Sequence, residues 1–131
     1  MTLTITTAHN DARLEGTLAY LDTGTGNAAV RIYGDTRPAT PADVPTSAML
    51  VQVGLTKPAG TVAAGVLTLT QLEDGLIAET GIATWARVVN GNGDTAFDCD
   101  CGEGAGAWEV TLAQTQLYAG GAARITSAVL G

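Results

Sequence analysis

Two cysteines stand two positions apart in the run Thr95-Ala-Phe-Asp-Cys-Asp-Cys-Gly102, with Asp94, Asp98, Asp100 and Glu103 around them. No other part of the chain gathers as many reactive groups, and three chemistries suit such a cluster. A closed zinc site wants four ligands, whereas the chain holds two cysteines and one distant histidine, His9. A redox pair is usually C-x-x-C at a helix start, and cysteines at i and i+2 of a strand lie about 6.5–7 Å apart at Cα, at or past the limit for a disulfide. Calcium is the sharper rival. Asn90, Asn92 and Asp94 match the first three oxygen positions of a calcium loop, but Thr95 stands where glycine is required and Cys101 where a bidentate Glu belongs. A fourth reading needs no chemistry. Strand side chains alternate faces, so Phe97, Cys99 and Cys101 form an apolar face and Asp98 and Asp100 a charged one. The run reads as a half-buried strand, with no metal and no cofactor expected.

Other catalytic material is sparse. Ser47 and Ser127 are the only serines, and His9 reads as a solvated residue at a helix start. The glycine run from Gly102 to Gly106 lacks the following helix and the lysine that a phosphate loop needs. Glu73 and Asp74 flank a turn glycine, where solvation is the default. Trp85 and Trp108 suit a sugar-stacking platform if both are exposed on one face, and a buried core otherwise. No catalytic set emerges, and the chain is expected not to be an enzyme.

The elements that must position these residues follow from composition and period. The 131 residues suit one domain, residues 1–131. Ala, Thr and Gly fill 59 positions and lysine occurs once, at Lys57, which favours short strands and tight turns over long helices. Thirteen acids against six bases give a net charge of −7, with the arginines scattered, so no nucleic-acid partner is expected. No apolar run approaches the roughly 20 residues that cross a bilayer, and no membrane partner is expected. The start lacks the basic end and apolar core of a signal peptide.

Residues 1–7 read as an extended arm in which Leu3 and Ile5 alternate with threonines. A helix is predicted over 10–22, capped by Asn10 or Asp11, with Leu14, Leu18 and Leu21 on one face. About eight short strands follow, in 28–33, 48–55, 66–72, 76–80, 81–90, 95–102, 107–112 and 123–130. Residues 34–47, with three of the four prolines, read as a stiff, protruding loop, and 57–65 as a second loop. The Asn90–Asp94 stretch is the strongest hairpin turn. This pattern points to a mainly β domain, an antiparallel β-sandwich or jelly roll with one N-terminal helix.

Three segments, taken in order, resemble a known group. Residues 18–45, LAYLDTGTGNAAVRIYGDTRPATPADVP, resemble the opening of small tailed-phage virion proteins. Residues 81–102, GIATWARVVNGNGDTAFDCDCG, are similar to their central hairpin, although the paired cysteines depart from that pattern. Residues 117–131, LYAGGAARITSAVLG, look like their closing strand. The resemblance implies a capsid cement (decoration) protein with a jelly-roll fold. Such a protein is made in the bacterial host cytoplasm and forms dimers on the capsid exterior, bridging neighbouring major capsid proteins. Leu3, Ile5, Arg37, Pro38 and Pro41, from the arm and the proline-rich loop, are the interface candidates. A tail or head–tail connector component is the alternative within the virion, and a carbohydrate-binding module the alternative outside it.

Overall fold

A computed structural model describes residues 4–131. Among the described residues one helix, α1 (Thr7–Leu21), precedes eleven strands. Seven form a wall: β1 (Ala29–Tyr33), β2 (Met49–Ala63), β3 (Val66–Gln71), β6 (Trp85–Val89), β7 (Thr95–Glu103), β8 (Val110–Leu112) and β11 (Ile125–Leu130). The other four, β4 (Gly75–Leu76), β5 (Gly81–Ile82), β9 (Gln116–Leu117) and β10 (Ala122–Ala123), make two small ladders. The domain is mainly β with one helix, as expected. In place of two separate sheets, the seven strands close into a barrel in the order β1-β2-β3-β11-β8-β7-β6. Closure comes from β6 pairing with β1, Tyr33 opposite Trp85 and Ala29 opposite Val89.

The barrel interior is filled by the inward set of each strand. Val30 and Ile32 of β1, Val51, Val53 and Leu55 of β2 and Val88 of β6 have no exposed surface. A small barrel is packed by its own side chains and leaves no channel. All wall pairings are antiparallel except β7 with β8. Parallel neighbours usually need a crossover of a dozen residues or more. Here residues 104–109 suffice, because only three pairs overlap, Cys101–Val110 to Glu103–Leu112.

The helix starts earlier than predicted, and the reason is tertiary. Thr6 is the cap, its Oγ1 accepting from the His9 amide at 3.1 Å. Asn10 and Asp11 are spent elsewhere. Asn10 Nδ2 donates to the Gly65 carbonyl (3.0 Å), and the Gly65 amide donates to Asp11 Oδ1 (2.7 Å). Those bonds dock α1 on the β2–β3 turn, while Leu14 and Leu21 enter the core and Leu18 packs against it. Ile5 is half-buried before the helix; Leu3 lies outside the described residues, and the helix takes up the end of the expected arm at Thr7.

The predicted loop at 57–65 is also revised. Most of it belongs to β2, whose register breaks between Leu55 and Gly60. The displaced residues hold the far end of the helix: the Ala59 amide donates to Asp22 Oδ1 (2.9 Å), and Lys57 Nζ donates to the Gly24 carbonyl (2.6 Å). The expected strand over 81–90 divides into β5 and β6, and that over 76–80 shrinks to β4 and an isolated bridge from Ile77 to Val51.

Gly16 sits on the exposed side of α1, and a methyl group added there meets nothing within 4 Å. Gly16→Ala should therefore raise unfolding stability by about 0.5–1 kcal/mol through helix propensity and a less entropic unfolded chain. Asp11→Ala should lower it by about 1 kcal/mol or more. Urea midpoints of the two variants check both signs.

Candidate functional site

The cysteine strand is placed as its alternation predicts. Cys99 and Cys101 are buried free thiols pointing into the barrel with Phe97 partly buried beside them. Burial pushes both thiols up, from an ordinary value near 9 to about 12, with Glu109 and Cys101 adding to the effect at Cys99. Thiolate is the nucleophilic form, so these cysteines are unreactive at neutral pH.

Asp98, expected in solvent, is a correction. Its side chain is buried, and it holds Arg87, the residue opposite it across the hairpin. Arg87 Nε donates to Asp98 Oδ1 at 2.7 Å and Nη2 to Oδ2 at 3.0 Å, with side-chain exposures of only 7% and 4%. The guanidinium lies 5.5 Å from the Trp85 ring centroid, and Trp85 stacks on Tyr33 with centroids 4.5 Å apart. Both are buried, Trp85 to 1% exposure, so it offers no sugar platform. This cluster lies outside the barrel's core.

Its cover is the proline-rich segment between β1 and β2. Arg87 Nη1 donates to the Asp43 carbonyl (2.8 Å), Trp85 Nε1 to the Gly34 carbonyl (3.1 Å) and Thr84 Oγ1 to the Asp35 carbonyl (2.6 Å). Arg37 pairs with Asp100 at 3.3 Å. The segment thus folds back over β6 and β7 where a protruding loop was expected. Of the interface candidates in it, Arg37 is tied to the hairpin, Pro38 is half-buried and Pro41 is exposed. The burial of Arg87 has a trace in the sequence: it sits mid-strand between apolar neighbours, with Asp98 at the matching position beyond an Asn-Gly turn.

The Asn90–Asp94 turn is engaged with itself and with the chain after α1. Asn90 Oδ1 accepts from the amides of Asn92 (3.0 Å) and Asp94 (2.9 Å), and Asn90 is buried. Gly24 and Gly26 press on Asn92 and Gly91 so closely that an added Cβ would lie 2.6–2.9 Å from their oxygens. The oxygen offered first to calcium is therefore occupied. The Gly102–Gly106 run also has a packing role: Trp108 lies over both glycines, and an added Cβ at Gly102 would sit 2.5 Å from its ring. His9 is exposed in the first helical turn, Glu73 and Asp74 are exposed, and Ser47 Oγ donates to the Gly34 carbonyl. Among the described residues no three His, Cys, Asp or Glu side chains come together to hold a metal, and no helix is long and apolar enough to cross a membrane.

One surface went unnoticed in the sequence. Leu76, Ile82 and Tyr118, on and beside the small ladders, are more than half exposed. Comparison with protein-family models, curated proteins and solved structures finds no match.

Three outcomes are expected. Arg87→Met should cost about 3–5 kcal/mol by stranding Asp98, and adding Asp98→Leu should recover most of the loss. Denaturant midpoints and proteolysis within the 34–48 segment read both effects. The thiols hold their protons in the folded chain over the window from about 9 to about 12, where the unfolded chain has lost them. Stability is therefore intact below pH 9 and falls as pH rises toward 12, and Cys99→Ala/Cys101→Ala should flatten that fall. Iodoacetamide at pH 8 should label the protein only after urea is added.

Proposed function

We propose that this chain is a non-enzymatic phage virion protein that decorates the capsid and cements it by bridging neighbouring capsid subunits. The ordered resemblance of three segments to capsid cement proteins carries the reading. Its support in the fold is that the first two segments form one unit. The turn at 23–27 packs on the hairpin turn at 90–94, and the proline-rich loop is bonded to that hairpin through Arg87 and Trp85. Residues that resemble one family in two separate places are then in contact for a shared structural reason. The closing strand β11 pairs with β8, the strand beside the hairpin. On this reading the barrel is a closed relative of the jelly roll that the resemblance implies, and the protein self-associates as dimers on the shell.

The chemistry is compatible with a structural part. Both thiols are inward and held in the unreactive form, and the buried Arg87–Asp98 pair is joined by two hydrogen bonds. A cement protein works by many modest contacts repeated over a shell, which add through multivalency.

Particles lacking the protein should lose their contents at lower temperature, or under milder osmotic shock, than complete ones. Adding back the purified chain should restore resistance. Equal survival of the two particle types, or added protein that never sediments with shells, would remove the proposal.

A further inference from the structure

The two small ladders are one ribbon. Gly75 pairs with Ala123 and Leu76 with Ala122, and the same register continues to Gly81 with Leu117 and Ile82 with Gln116. Between them the Ile77 amide donates to the Gly121 carbonyl and the Ala119 amide to Thr80 Oγ1. The ribbon is bound to β2 beneath it, where the Ala78 amide donates to the Leu50 carbonyl at 2.8 Å.

In most half-buried strands the large apolar residue faces in and the polar one out. At two places here the order is inverted. Gly75 faces β2, where an added Cβ would come 2.7 Å from the Gln52 carbonyl oxygen, and its neighbour Leu76 is 74% exposed. Gly81 faces Leu50, with an added Cβ 2.9 Å from its Cδ2, and its neighbour Ile82 is 59% exposed. Tyr118, 64% exposed, lies just after β9 in the turn that joins β9 to β10. The smallest residue is therefore turned inward and the largest outward, on a backbone already held by hydrogen bonds. Anchors so fixed lose little freedom on docking. Clefts of about 300 and 600 Å³ flank the ribbon, the first lined by Ile77 and Tyr118, the second by Leu50 and Ile82.

Charge selects the occupant. Glu73, Asp74 and Glu79 are exposed along the ribbon, residues 72–82 contain no base, and the whole chain carries −7. Arg124 is the one base lining either cleft, in the one that Tyr118 also lines. A second copy meeting this face by two-fold symmetry would set an acid-rich rim against its like. An apolar surface ringed by lysine or arginine meets it with opposite charge.

We infer that the outer face of this ribbon, anchored by Leu76, Ile82 and Tyr118, is the surface through which the protein grips an apolar, basic-rimmed patch on the capsid shell. The inference rests on the function proposed above. Its test is co-sedimentation of purified protein with expanded shells that lack it. The wild-type chain should bind, with affinity falling as salt rises. Leu76→Asp/Ile82→Asp should bind at least tenfold more weakly while keeping its melting temperature, and Glu79→Lys should weaken binding and reduce its salt dependence. Val44→Asp, an exposed position on the proline-rich loop, should bind as wild type. Wild-type protein that ignores the shells overturns the capsid reading, and this inference falls with it. Wild-type and Leu76→Asp/Ile82→Asp binding equally well overturns the surface alone. A wild-type dimer that the same double variant converts to monomer, with shell binding intact, assigns the face to a second copy and overturns it too.

Discussion

Arg87 and Asp98 face one another across a hairpin with almost no access to water, and the outer half of the structure is arranged around that fact. A guanidinium buried alone would be untenable, so each of its three nitrogens needs a partner. Two meet Asp98 and one meets the Asp43 carbonyl. The last of these brings the proline-rich segment down over the Tyr33–Trp85 stack, which in turn lets β6 be buried on both faces. Strand, loop and aromatic pair are thus held by one cation.

The helix plays the corresponding part for the barrel's interior. Its leucines enter the core, and both of its ends are fastened to β2 or to the turn leaving it, at Gly65 and at Ala59. The irregular middle of β2, with the cis Lys57–Pro58 bond, supplies the partners at the second fastening. Interruptions in a strand are commonly where it re-aims its bonds, and this one serves the helix.

What the sequence revealed was what local period and turn chemistry encode. The hairpin from Trp85 to Glu103 and the inward cysteines were legible because alternation and an Asn-Gly turn determine both. The cap was not, because Thr6, Asn10 and Asp11 are all competent and only the distant Gly65 decides among them. Pro58 and Gly60 read as a loop because a bulged strand carries the same residues as a turn. Asp98 read as solvated because its cover is a segment without any period. Strands were expected at 76–80 and 81–90, but the exposed face of the ribbon there was not legible, because glycine beside a large apolar residue resembles a turn and a fragment of core.

The pairing that closes the barrel joins Tyr33 to Trp85, more than fifty positions apart along the chain. Contacts so distant cannot form until much conformational freedom has been surrendered, and they reward the chain only afterwards. Local hairpins such as β6–β7 can assemble early, yet Trp85 and Arg87 on the outer side of β6 stay uncovered until β1 and the segment that follows it arrive together. Any state in which β1 and its trailing loop are unseated therefore leaves Trp85 and the Arg87–Asp98 pair open to water and to other chains.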